Sequence, residues 1–365
     1  EKGFRGGMCC ISHKYAKANN EYIPEDYDPN RPSSYILYLD MNNLYGTAMS
    51  EPLPRCDFKL LSENEASSID FMAIPDDSPT GYIFEVDLDY PWELHDSHDS
   101  YPLCPENTIV NPEQLSAYST SLAEKLGYTP VSSRKLITNL NGKTKYSVHY
   151  RNLKLYVRLG MKVMRIHRAI SFTQSAWLKT YIDFNTDRRK ESKNDFEKNF
   201  FKLLNNSVFG KTIENMRKRQ KVELVTNRRQ FRNLVAKPNF QSFKIFTEDL
   251  VAVHMKHTKI KLCKPTYAGM TVLDVSKLLM FQFHYDYVLP KYGNRAKLLM
   301  TDTDSLIYHI STDDVYKDIA SDIRLFDTSD YPTDHPCYST LNKKKLGRMK
   351  DEYNGTPIKE FVGLR

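Results

Sequence analysis

The sequence predicts a mixed core of strands and helices, α/β or α+β, and three observations carry that expectation. Short apolar runs rich in β-favouring residues, Tyr35 to Leu39 and Tyr82 to Leu88 among them, alternate with stretches of helical period. Prolines such as Pro52, Pro54 and Pro290 fall where those patterns break. The length of 365 residues suits two or three packed units.

Taken in order, Tyr35 to Leu39 reads as a buried strand that delivers Asp40 at its end. Met41-Asn42-Asn43 reads as a turn, and Leu44 to Met49 as a short helix. Tyr82 to Leu88 alternates as a second strand. Asp89 to Gly142 is loop-like, with prolines at 91, 102, 105, 112 and 130, and suggests an insertion decorating the core. Tyr150 to Leu159 predicts a helix stopped by Gly160, followed by an extended Lys162 to Phe172. The pattern from Asp195 to Arg219 is strongly helical. Val222 to Lys264 has no clear period and suggests a second insertion, of short strands. Ser276 to Val288 predicts a buried helix stopped by Pro290, and Ala296 to Ile310 a hairpin with Asp302-Thr303-Asp304 at its tip. Internal repeats and low-complexity tracts are absent from the sequence.

Composition, 40% hydrophobic and 27% charged, is that of a soluble globular protein. No apolar run approaches the roughly 20 residues of a membrane span. Six cysteines without a CxxC argue against a zinc ribbon or disulfide framework and suit a reducing compartment. The start, Glu1-Lys2-Gly3, lacks methionine and a signal core, so the chain reads as a fragment of something longer. The net charge of +7 is unevenly placed: residues 186–232 hold fourteen basic side chains against six acidic, whereas 302–334 is rich in aspartate. A basic segment facing an acidic one suits a polyanion held near metal-binding carboxylates, and two solvated faces of opposite sign give the same numbers.

In an extended chain Asp302 and Asp304 project to the same side. Two carboxylates aimed together are unfavourable unless a cation lies between them, and Asp40 is placed to complete a three-carboxylate oxygen site of the kind Mg2+ accepts. Taken alone, DTD also reads as an Asx-type turn. On a helix through residues 195–219, Lys198, Lys202, Asn206 and Phe209 share one face, with Lys190 reached if the helix extends back. Phe196, Phe200, Phe201, Leu203, Leu204 and Val208 share the other, which predicts burial of that face. Stacked lysines repel, and a triphosphate would offset the repulsion; a plain solvated face is the alternative. Asn206, Ser207 and Gly210 are poor helix formers, and Gly210 permits a close approach.

Three segments in this order resemble the polymerase motifs of family B DNA polymerases. Asp40-Met-Asn-Asn-Leu44-Tyr45-Gly46 resembles motif A, Lys202-Leu-Leu-Asn-Asn206-Ser207-Val208-Phe209-Gly210 resembles motif B (KxxxNSxYG), and Asp302-Thr303-Asp304-Ser305 resembles motif C (DTDS). Phe4-Arg5-Gly6-Gly7 is similar to the YxGG motif of the protein-primed branch, and Lys190 and Lys198 match the spacing of that branch's phosphate lysines. The wording ISHKYAKANN, NSVFGKT and KDEYNGTPIKEFVGLR looks most like polymerases of Polinton/Maverick elements and related viruses. Gly46 stands where the family has proline, Phe209 where it has tyrosine, and Met300-Thr301 where it has Tyr-Cys.

The resemblance implies an α+β fold: a family B palm, an antiparallel sheet with packed helices, bearing helical fingers and two insertions. It implies linker motif and first palm part in 1–70, a terminal-protein-region insertion in 71–180, fingers in 181–221, a processivity-type insertion in 222–270 and the remaining palm in 271–365. Implied roles are metal ligation by Asp40, Asp302 and Asp304, with Lys202 catalytic, and nucleotide binding by Tyr45, Lys190, Lys198, Lys202, Asn206 and Phe209. Phe4, Arg5, Gly6, Gly7, Ser207 and Gly210 would contact DNA. Two Mg2+ ions (or Mn2+), dNTPs, a DNA primer–template and a terminal protein follow as cofactors and partners, with no membrane. The setting implied is intracellular, in the nucleus or at a viral cytoplasmic replication site. A catalytically silent nucleic-acid-binding descendant and a reverse transcriptase are the alternatives; the latter would read YxDD, without the intervening threonine. Trp92 and Trp177 read as packing residues, and the His95/His98 and His254/His257 pairs lack the partners of a metal site.

Overall fold

Ser34–Met41 (SYILYLDM) carries branched and aromatic side chains on both faces, which suits a strand buried in the middle of a sheet. In the computed structural model, which describes residues 2–127 and 133–363, it lies inside a six-stranded sheet. Labelled along the chain, these strands are β1 (Cys9–Ile11), β2 (Ser34–Met41), β3 (Ala296–Asp302), β4 (Ser305–Ser311), β5 (Phe326–Asp327) and β6 (Met349–Asp351). Their spatial order is β1-β3-β4-β2-β6-β5, antiparallel except for the parallel β5–β6 pair. β2 thus has β4 on one side and β6 on the other, with Ser305 and Lys350 opposite Asp40.

A second antiparallel sheet of four strands comprises Leu53–Leu61, Lys162–Ser175, Thr80–Asp89 and Lys143–His149, in that order. Its inward residues Phe84, Val86 and Val148 join Leu37, Leu39, Tyr308 and Phe281 in one continuous apolar core. A buried polar knot ties the beginning of the chain to this core. The Arg5 guanidinium lies 3.6 Å over the Tyr146 ring and donates to the Ser147 carbonyl at 2.8 Å, while Lys277 donates to the Arg5 carbonyl at 2.6 Å.

The chain divides into two compact units, Glu1–Asn206 with Met270–Arg365, and Ser207–Gly269. The smaller one is built on a three-stranded antiparallel sheet of Gln220–Val225, Leu250–Lys256 and Phe240–Thr247. Val225, Val253 and Met255 are its core, beneath Phe231 and Leu234 of the Arg228–Val235 helix. The fold is therefore α+β, as expected.

Several local expectations need correction. Asp89 to Gly142 is not bare loop: it contains a hairpin of Glu106–Ile109 with Arg134–Ile137 and a helix, Ala117–Lys125. Pro130 lies outside the described residues. The helix expected over 195–219 ends at Thr212, whose hydroxyl donates to the Phe209 carbonyl at 2.7 Å, and Met216–Lys218 forms a separate 3-10 turn. Arg217-Lys218-Arg219 is thus not the tail of that helix. Pro290 does not stop the helix before it. The Thr266–Gln282 helix continues as a π turn, Phe283–Val288, into Leu289–Tyr292, whose first turn contains Pro290. The chain turns instead at Gly293, with φ of +54°. Trp92 is 77% exposed and Trp177 also lies at the surface, so neither is a packing residue. Among the described residues no helix is long and apolar enough to cross a membrane.

Candidate active site

Antiparallel pairing brings the end of β2 beside the β3–β4 turn although some 260 residues separate them in sequence. The Met41 amide donates to the Asp304 carbonyl at 2.7 Å, which fixes Asp304 next to Asp40. Asn43 then reverses the chain. It sits in the left-handed region (φ 48°), which asparagine tolerates, and its side chain accepts from the Gly46 amide at 3.2 Å to cap the helix Leu44–Met49 (α1). α1 starts with Leu44 buried in the core and Tyr45 turned to the neighbouring pocket.

That pocket, of about 290 Å3, is lined by Asp40 and Asp304, by Asn42, Asn43, Leu44 and Tyr45, by Lys202 and Asn206, and by Arg189, Lys350 and Glu352. Its electrostatics are those of crowded carboxylates. Burial, then Asp304 and Glu352, push the Asp40 carboxyl up from 3.8 to about 7, against the opposing pull of Lys202 and Lys350. Burial also raises Asp304, with Asp302 adding to it and Lys202 opposing. Tyr45 is raised by burial and by Asp304. Lys350, directly across from Asp40, holds Asp330 at 3.0 Å and lies 4.0 Å from Glu352.

Asp302 is not gathered in. The turn between β3 and β4 is not extended: Thr303 has φ of +58°, and the Asp304 amide donates to the Asp302 carbonyl at 2.7 Å, closing a three-residue turn. Period-two alternation therefore fails at that position; Asp302 is exposed and outside the pocket lining. Among the described residues no group of three or more His, Cys, Asp or Glu is assembled as a metal site. The donor set that does exist is two neighbouring carboxylates whose charges oppose each other. It fits Mg2+, which takes one or two protein carboxylates and fills its other positions with water and phosphate oxygens.

The lysine ladder is only partly present. Lys202 and Asn206 line the pocket, whereas Lys198 pairs with Asp195 at 3.1 Å and Lys190 with Asp187 at 3.1 Å, both outside the lining. Arg189, next to Lys190 in the helix Lys179–Glu191 (α2), faces the pocket in its place. The apolar face expected to bury in the helix Asp195–Thr212 (α3) is largely open. Phe196 is 78% exposed, Phe200 and Leu203 are exposed too, and the rings of Phe196 and Phe200 stack on each other at 6.2 Å instead of on a core. Ser207, Phe209 and Gly210 belong to the smaller compact unit.

Of the glycine-containing segment, Arg5 is 5% exposed and its side chain is committed to the core rather than displayed at the surface. Gly6 and Gly7 remain at the surface. A Cβ at Gly7 would lie 2.0 Å from the Thr303 hydroxyl, and the Met8 carbonyl accepts from the Thr303 amide at 2.7 Å. The segment thus buttresses the turn that carries Asp304. Phe4 offers its carbonyl to Asn107 at 3.0 Å. Sequence reasoning missed Arg189, Lys350 and Glu352. β6 is three residues long and has no apolar run to announce it, although Lys350-Asp351-Glu352 falls inside a segment whose wording matched the family.

No protein-family profile matches the chain, and no curated protein sequence does. Solved structures match throughout its length, and their fold is that of a DNA polymerase. Among them is phi29 DNA polymerase. Its orthorhombic crystal form aligns with 98% of this chain at a TM-score of 0.53 and 14% identity. Its complex with primer–template DNA gives 0.51 and 15%, and its ternary complex with primer–template DNA and incoming nucleotides gives 0.50 and 16%. The chain spans about half of that enzyme, 46–48% of its length in these three structures.

Proposed function

We propose that the chain is the palm and part of the fingers of a template-directed DNA polymerase of the protein-primed type, adding nucleotides to a 3′-hydroxyl or to a terminal-protein hydroxyl. The observation that carries this reading is the meeting of Asp40 and Asp304 in one pocket with Lys202, Asn206 and Tyr45, all from the three motif-like segments. The order of those segments, and a fold shared with phi29 DNA polymerase, support it.

The carboxylates of Asp40 and Asp304 would hold Mg2+, with Asp302 at the margin. When bound, two such ions favour the ionised hydroxyl and neutralise the departing phosphates. Lys202 brings a positive charge toward the phosphates of the incoming dNTP. Asn206 lines the same wall for the nascent base pair, and Tyr45 underlies the sugar, where it excludes a 2′-hydroxyl. The hydroxyl oxygen bonds to the α-phosphorus, the bond to the bridging β-phosphate oxygen breaks, pyrophosphate leaves and the hydroxyl proton passes to solvent. Lys190 and Lys198 join this site in a state with nucleotide bound, Gly6 and Gly7 line the path of the DNA, and Ser207, Phe209 and Gly210 keep the nucleotide and DNA contacts that motif B implies. The resemblance of the wording to Polinton-type polymerases supports a role in replication of a mobile or viral DNA genome.

The test is Mg2+-dependent incorporation on a primed DNA template by the full-length protein. Asp304→Asn should abolish extension and leave DNA binding within about twofold; extension by the variant would remove Asp304 from the chemistry. Extension on RNA but not on DNA would replace this reading with a reverse transcriptase.

A further inference from the structure

Four side chains stand in a row across one face of the main sheet, because directly paired residues on neighbouring strands leave it on the same side. Ser305 of β4 pairs with Asp40 of β2, Asp40 with Lys350 of β6, and Lys350 with Asp327 of β5. Ser305 is neutral, and its hydroxyl donates to the Asp302 carbonyl at 3.2 Å. Asp327 is 3% exposed and already accepts from the Asn42 side chain, the Lys344 amide and the Ser329 amide. Lys350 is thus the cation that the row sets beside Asp40, and both line the carboxylate pocket.

A lysine directly across from an aspartate, with Cβ atoms about 5 Å apart, ordinarily closes an ion pair with it. This one does not. Its Nζ lies 3.0 Å from Asp330 and 4.0 Å from Glu352, and among the described residues no ion pair joins it to Asp40. Asp330 belongs to a turn after β5 that is pinned on both sides. Asp327 is fixed by its three hydrogen bonds. Tyr331 is fixed by its amide, which donates to the Thr328 carbonyl at 3.2 Å, and by its hydroxyl, which donates to Asp351 at 3.0 Å. Burial disfavours the Lys350 ammonium, yet Asp330, then Glu352 and Asp327, hold its pKa above the ordinary lysine value. A charged lysine therefore sits beside the Asp40–Asp304 pair and is drawn off it by a carboxylate outside the pocket lining. An ammonium resting on Asp40 would cancel in place the charge that a divalent ion requires.

We propose that Lys350 is a built-in competitor for the cation position at Asp40 and Asp304, and that Asp330 is the positioning residue that holds it aside. The pair then sets how strongly the pocket draws Mg2+. For the identity of the ion the proposal rests on the metal-binding reading of the two carboxylates above; the relation of the charges does not depend on it.

Isothermal titration of the full-length protein with Mg2+ alone tests the pair, the heat that vanishes in Asp40→Asn defining the site. Lys350→Met should tighten Mg2+ binding roughly five- to tenfold, and Asp330→Asn should weaken it by about as much. In the Lys350→Met background Asp330→Asn should change the affinity by less than about twofold, and Asp330→Glu alone should stay close to the wild type. Unchanged affinity in Lys350→Met overturns the proposal. Weakening by Asp330→Asn that persists without Lys350 shows a carboxylate that attracts the ion directly, and overturns the holding role. A second arm needs no metal: in EDTA at pH 8, Lys350→Met should lower the melting temperature of the wild type more than that of Asp40→Asn. Equal shifts overturn the coupling to Asp40. No Mg2+ uptake by the wild type overturns the metal reading, and the EDTA arm then decides the relation of Lys350 to Asp40 by itself. Mg2+ affinities that follow Lys350 and Asp330 in a protein that extends no primer overturn only the polymerase reading.

Discussion

Replacing Asp40 with asparagine in the metal-free protein removes a charge that the pocket holds at a cost. Burial and Asp304 raise its carboxyl from 3.8 to about 7. A raised value means that the folded chain keeps a proton the unfolded chain has lost. The stability this brings is complete below pH 3.8 and is lost as pH rises through about 7. At about 1.4 kcal/mol per pH unit, the interval sets an upper bound of roughly 4 kcal/mol. The pocket opens to solvent and Lys202 and Lys350 face it, so screening reduces the effect to about 1–2 kcal/mol. Asp40→Asn should therefore melt with the wild type near pH 4 and roughly 2–3 °C above it at pH 8, in EDTA. Added Mg2+ should raise the wild-type melting temperature at pH 8 and leave the variant nearly unmoved. A variant that tracks the wild type across the whole pH range in EDTA would refute the claim that Asp40 is a strained, cation-seeking carboxylate.

Two further substitutions probe the surroundings of that carboxylate. Tyr45→Val should lower discrimination against ribonucleotides by roughly ten- to hundredfold, the range over which pocket shape selects; unchanged dNTP/rNTP selectivity in single-nucleotide incorporation removes Tyr45 from beneath the sugar. Gly7→Ala puts a methyl against Thr303, at 2.0 Å from its hydroxyl, whereas Gly6 has nothing within 4 Å. Gly7→Ala should cost about 1–3 kcal/mol and cut incorporation, with Gly6→Ala as the control whose melting stays unchanged; equal melting of the two variants would show that the segment does not brace the turn.

The parts of this molecule legible in the sequence are those whose side chains state their own burial. Ser34–Met41 and Ala296–Asp302 announce themselves through apolar runs, and Leu44–Met49 through the turn before it and the prolines after it. Where geometry depended on a single backbone angle, periodicity misled. Thr303 at positive φ turned Asp302 out of the pocket lining, and a π turn carried the chain past Pro290. The α3 wheel failed for another reason: helical spacing defines a stripe, but not whether anything in the chain covers it, and Phe196 and Leu203 are bare. Arg189 and Lys190 differ by one residue in a basic run, and no pattern distinguishes which of them turns inward.

β2 is completed from both sides by strands that follow it at long range, β4 from Ser305 and β6 from Met349. During synthesis its apolar length emerges with both edges bare, and neither neighbour exists until more than 260 further residues have been added. At ribosomal speed that is a wait on the order of tens of seconds. Until then a run such as Tyr35-Ile-Leu-Tyr-Leu39 is a template for any passing strand. A ribosome stalled short of Met349 would therefore release a chain prone to aggregate, and a chaperone that shelters this one strand would govern the yield of folded protein.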